Sequence, residues 1–87
     1  MNRNAIRGFH ILGTENGNLK LNTNREYRWH IPKYLRVNQI KPGDIVLAST
    51  SRGKRPVLVI DIFQEETKER QKTYKQIIRV IERAPEQ

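Results

Sequence analysis

The chain reads as an all-β domain, a small antiparallel barrel or strongly bent sheet of about five strands. Three observations predict this. Short runs of apolar residues recur at strand length, tight-turn signals separate them, and the one segment with a helical stripe is built from β-branched residues. At 87 residues it has room for one core and one domain, spanning 1–87.

Ala5 to Leu12 is the first expected strand, carried by Ile6, Phe9, Ile11 and Leu12. Gly8 interrupts the alternation and predicts a bulge or a close backbone approach. Asn16-Gly17 is a type I′ turn signal, because both central positions need positive φ. Leu19 and Leu21 alternate with polar residues, which allows a short return strand. Arg25 to Ile31 alternates most clearly: Tyr27, Trp29 and Ile31 share one face, Arg28 and His30 the other. Pro32 stops it. Lys33 to Lys41 is expected to be an ordered loop with room for one helical turn.

Lys41-Pro42-Gly43-Asp44 predicts a type II turn, with proline presetting φ at the second position and glycine supplying positive φ at the third. Asp44 to Thr50 follows as a strand. Ser51-Arg52-Gly53-Lys54 is a hairpin tip, and Arg55 to Glu65 the next strand, with Pro56 tolerated near its start. Val57, Leu58, Val59, Ile60 and Ile62 put apolar side chains on both faces, which predicts a central strand covered on both sides. Glu66 to Thr73 is a charged connection. In Tyr74 to Arg83 the residues Tyr74, Ile77, Ile78 and Ile81 fit a helical stripe, but β-branching favours a strand, expected to pair back on residues 56–64. The six aromatics, Phe9, Tyr27, Trp29, Tyr34, Phe63 and Tyr74, are expected to carry much of the core.

Composition narrows the function. With no cysteine there is no disulfide framework and no thiolate metal site. No apolar run reaches a membrane span and none near Met1 resembles a secretory signal, so a cytoplasmic protein with no membrane partner is expected. The formal net charge is +8, and it is segregated. Residues 1–60 hold 11 basic against three acidic side chains and so the whole excess; residues 61–87 hold six of each. Such a distribution is an electrostatic footprint for a polyanion.

Catalysis is not expected. Neither histidine, His10 or His30, has the neighbours of a nucleophile–base pair, no Gly-rich phosphate loop follows a strand, and no ligand spacing suggests a metal or cofactor. Arg25 to His30 interleaves cations with aromatics, as single-strand binders do. Trp29 fits the core face better than a base platform, and Tyr34 is the better candidate for an exposed aromatic. The densest basic cluster is the tip, Arg52, Lys54 and Arg55, which could lie along phosphates. Arg28, Lys33 and Arg36 are the further candidate phosphate contacts, with Tyr34 beside them.

From Tyr27 onward the pattern resembles the N-terminal 3′-end DNA-binding domain of primosomal replication-restart helicases. The pieces that carry the resemblance are Tyr27-Arg28-Trp29-His30-Ile31-Pro32, Leu35 and Val37, Lys41-Pro42-Gly43-Asp44-Ile45-Val46, Gly53, and Val57-Leu58-Val59-Ile60. That family carries an acid between its two strand aromatics, where this chain has Arg28. The whole chain also resembles small proteins of Gram-positive plasmids and phages, which implies an accessory protein of a mobile element. The expected function is non-enzymatic nucleic-acid binding by a monomer, the partner being single-stranded or duplex DNA, or RNA. The alternative is a protein partner engaged through an exposed sheet edge.

Overall fold

In the computed structural model residues 3–36, 39–64 and 76–85 are described, apart from the Arg36 side chain. Five strands form one antiparallel sheet: β1 (Ala5–Glu15), β2 (Asn18–His30), β3 (Ile45–Thr50), β4 (Gly53–Phe63) and β5 (Ile77–Glu82). Their order across the sheet is β2-β1-β4-β3-β5. One helical turn, α1 (Lys33–Arg36), follows Pro32, whose carbonyl accepts the Leu35 amide at 2.9 Å.

The first hairpin follows from its turn residues. Asn16 and Gly17 have φ of 55° and 82°, so Glu15 and Asn18 pair across a two-residue loop. The return strand does not stop after Leu21. It runs on to His30, and the ladder absorbs the extra length in one place: pairing jumps from Gly8–Tyr27 to His10–Asn22. Thr23, Asn24, Arg25 and Glu26 therefore lie opposite Phe9 alone. Gly8 is the reason β1 can sit so close to β4. A Cβ there would come within 2.5 Å of the Leu58 carbonyl oxygen and 2.6 Å of Val57 Cγ1.

β4 is central, as its apolar run predicts, but its two faces differ. Val57 and Val59 are buried, whereas Leu58 and Ile60 are half-buried. Pro56 is tolerated because β1 reaches β4 only from Val57 onward, so that end of β4 has one neighbour. β5 is a strand, but it pairs with β3 and not with residues 56–64. Both edges of β4 are already taken by β1 and β3, so β5 adds to the free edge of β3. Tyr74 and the Glu66–Thr73 connection lie outside the described residues.

The sheet curls strongly without closing into a barrel. Its edge strands β2 and β5 share no ladder and meet only at an isolated bridge, His30–Gln76. The Ser49 amide donates to the Gln76 carbonyl at 2.9 Å, and the Trp29 indole N–H donates to the Ser49 carbonyl at 3.2 Å. Inside the curl lies the core: Ile6, Trp29, Ile31, Leu35, Ile40, Val46, Ala48, Val57, Val59 and Ile77. Each large side chain buried there contributes about 1.5–3 kcal/mol. The core is mainly aliphatic, contrary to the expected aromatic one. Among the described aromatics only Trp29 is fully buried; Tyr27 packs against the core from its margin, Phe9 and Phe63 are half-buried, and Tyr34 is exposed.

Asp44 locks the open end of the curl. The turn before it forms as its residues predict, with Gly43 at φ 97° and the Asp44 amide donating to Lys41 at 3.0 Å. The Asp44 carboxylate, 1% exposed, accepts the Lys41 amide at 2.9 Å, the Ala84 amide at 2.8 Å and the Arg83 guanidinium at 3.1 Å. Two chain segments, the Lys41–Asp44 turn and Arg83–Ala84, thus meet on one carboxylate, and their donors satisfy an acceptor that would otherwise be buried without partners.

Candidate nucleic-acid interface

The basic tip is built by the β3–β4 hairpin. Ser51 and Arg52 turn the chain, and Gly53 at φ 99° lets it re-enter the ladder opposite Thr50. The Thr50 hydroxyl fastens the turn: it donates to the Gly53 carbonyl at 2.7 Å and accepts the Arg52 amide at 3.1 Å. This bonding holds the backbone beneath the cations in one conformation. Lys54 pairs with Ser49 and Arg55 with Ala48, so the two side chains leave opposite faces of the ribbon, with Arg52 at its apex. All three are exposed, and among the described residues none has an ion-pair partner.

A second basic segment lies near the base of this tip. His30 bridges to Gln76, and Gln76 bonds to Ser49. Two strand spacings, about 10 Å, therefore separate the end of β2 from the tip's base. Lys33 and Tyr34 follow Pro32 directly and are both exposed, Tyr34 at 66%. The Tyr34 ring is held in place because its hydroxyl donates to the Ile78 carbonyl at 3.2 Å. Arg36 ends α1 and shares its backbone position with this segment.

Arg28 makes contacts of its own. Its guanidinium lies over the Phe63 ring, 5.8 Å from the centroid, at the end of β4 opposite the tip. Gly53 and Phe63 are the two ends of β4, ten residue steps apart along the strand. Arg28 also pairs across the ladder with Arg7, which bonds to Asp61 at 2.8 Å and Glu26 at 3.4 Å. That corner is a mixed-charge network.

Sequence reasoning passed over Arg25. Its guanidinium stands over the Tyr27 ring at 5.4 Å, and Tyr27 in turn meets His10 edge-to-face at 4.8 Å. The spacing carried the signal, since residues two apart on a strand share a face. Trp29, 1% exposed, is a core residue, as its position on the Tyr27–Ile31 face predicts. His10 and His30 belong to different ladder positions, opposite Asn22 and Ala5 respectively. Among the described residues no cluster of histidine and carboxylate could hold a metal, and no helix is long and apolar enough to cross a membrane.

Residues 1–83 match the model of a family described as "Family of unknown function (DUF5839)". No curated protein and no solved structure matches the chain.

Proposed function

We propose that this chain, which belongs to a family of unknown function, is a non-enzymatic nucleic-acid-binding protein that grips phosphates with its β3–β4 tip. One observation carries the reading: Arg52, Lys54 and Arg55 stand exposed, and among the described residues without ion-pair partners, on and beside a hydrogen-bonded two-residue turn, in the part of the chain that holds the whole charge excess. Cations held apart on both faces of a narrow ribbon contact backbone phosphates of either strand. Lys33 and Tyr34 extend the same surface. Such contacts position a nucleic acid without reading its sequence, so DNA and RNA, single-stranded or duplex, are all ligands of the proposed kind. An accessory role on a mobile element accords with the resemblance to plasmid and phage proteins.

The test is affinity against salt. Charge reversal of Arg52, Lys54 and Arg55 to Glu weakens binding to all sequences alike and flattens the slope of log affinity against log salt by about two to three units. Reversal of Lys68, Arg70 and Lys72 is the charge-matched control, taken from the neutral part of the sequence. Equal loss from both variants, or no binding by the unaltered protein at about 50 mM salt, rejects the proposal.

A second reading has its own observation. β2 is an edge strand, ladder-paired on the β1 side alone, and an extended peptide could add to it. The other edge is less open, because Tyr34 caps the Ile78 carbonyl of β5. Strand addition depends little on salt, which separates the two.

A further inference from the structure

The ladder between β1 and β4 ends at His10–Val57, yet β1 continues to Glu15 and returns through Asn18 to Asn22. Beyond His10 this hairpin is a two-stranded arm that makes no ladder with the rest of the sheet. Two-stranded ribbons are marginal in water unless an apolar face is covered. This one exposes its apolar side chains. Leu12, set out of the ladder by the register shift between Ile11 and Gly13, is 60% exposed, and Leu19 is 42% exposed. Ile11 pairs with Leu21, and both are half-buried.

The body of the sheet has a matching surface. Directly paired residues point to the same face. Phe9, Leu58 and Ile45 therefore form one row across β1, β4 and β3, and Pro56 and Leu47 form the next. All five point away from the core and are half-buried. Leu19, Leu21 and Ile11 lie on this same outer face, continuous with Phe9. One chain thus carries both an apolar arm and an apolar strip.

We propose that two copies of this chain pair through a two-fold axis, the arm of each lying across the outer strip of the other. Charge favours a second copy as the occupant. The arm's two charged side chains, Glu15 and Lys20, pair with each other at 3.5 Å, so it brings no net charge to a partner of formal charge +8. The strip, Phe9, Leu58, Ile45, Pro56 and Leu47, is itself uncharged and is bordered by Lys54 on β4 and by Arg79 and Glu82 on β5. The reach is sufficient as well. Ile11 to Asn16 spans about 17 Å, and the strip from β1 to β3 is about 10 Å wide. A two-fold arrangement covers both apolar surfaces at once, as isologous interfaces do. It replaces the monomer expected from sequence, and it does not rest on the nucleic-acid reading.

Sedimentation equilibrium at protein concentrations up to about 200 µM, without nucleic acid, tests it. The expected result is a mass approaching twice 10.3 kDa. The exposed pair Leu12→Asp and Leu19→Asp should weaken association at least about tenfold. Reversal of Arg55, which leaves the face opposite the strip, should leave it intact. Isotope-filtered NOE spectra of mixed labelled and unlabelled protein, which need no variant, should show Leu19 methyls of one copy against Leu58 and Leu47 of the other. A monomer throughout that range, a dimer that survives the leucine substitutions, or intermolecular NOEs confined to other surfaces overturns the proposal.

Discussion

The two hairpins of this sheet leave it at the same end and have opposite chemistry. β1 and β4 are antiparallel neighbours, so the Asn16-Gly17 tip and the Ser51-Arg52 tip project side by side. The first is long, electrically balanced and apolar along one face. The second is short, bonded through Thr50 and wholly cationic at its end. Their backbones solve the same problem by different means: positive φ at both turn residues in one, and at the glycine after the turn in the other. A tip that must hold cations in fixed positions gains from the extra hydroxyl bonds. An arm that covers a neighbour needs reach and neutrality instead. The difference underlies the proposal that the hairpins meet different partners.

The comparison needs a firm body beneath both tips, and the largest effects should come from there. Trp29→Ala should cost about 3–5 kcal/mol in urea unfolding, since it empties the core and removes the indole bond to Ser49 at the base of the basic tip. As the sole tryptophan, Trp29 should emit blue-shifted fluorescence that iodide quenches poorly. Red-shifted, readily quenched emission would contradict its burial. Gly8→Ala comes next, at roughly 1–3 kcal/mol, because its Cβ meets backbone and cannot be accommodated by a side-chain rotation.

The turns themselves sharpen the contrast on a smaller scale. Gly17→Ala and Gly53→Ala each force a left-handed residue and should each cost about 1 kcal/mol. Their functional effects should diverge: Gly53→Ala weakens nucleic-acid binding, and Gly17→Ala does not. Smallest of all is Leu12→Ala, which should change the stability of the isolated chain by ~0.5 kcal/mol or less, since the side chain is 60% exposed. A larger loss in dilute solution would mean that Leu12 packs within its own chain.

Much of this was legible in the residues. Asn16-Gly17, Pro42-Gly43 and Gly53 each specify a backbone conformation almost alone, and Gly8 marked both the register shift and the close approach to β4. The β-branched run Ile77 to Ile81 correctly outweighed its helical spacing. What stayed hidden depends on distant segments. β5 pairs with β3 because β4 has no edge left, a fact of sheet order that no local pattern carries. Asp44 reads as a turn residue, and its burial against Arg83 and Ala84 arises only when the chain's end folds back. The candidate site divides in the same way. The tip follows from three neighbouring residues, and its closeness to Lys33 comes from the Gln76 junction. Arg28 is drawn to Phe63, which lies far along the chain.

Amide chemical-shift mapping tests the central claim, that the two hairpins meet different partners, most directly. A short oligonucleotide titrated at constant protein concentration should move the amides of Ser51 to Arg55 and of Lys33 and Tyr34. Those of Leu12 to Leu19 should stay in place if, as proposed, they face a second copy and not the nucleic acid. Diluting the protein alone should do the reverse. Shifts on the arm equal to those at the tip, or tip amides that ignore the oligonucleotide, would contradict the account.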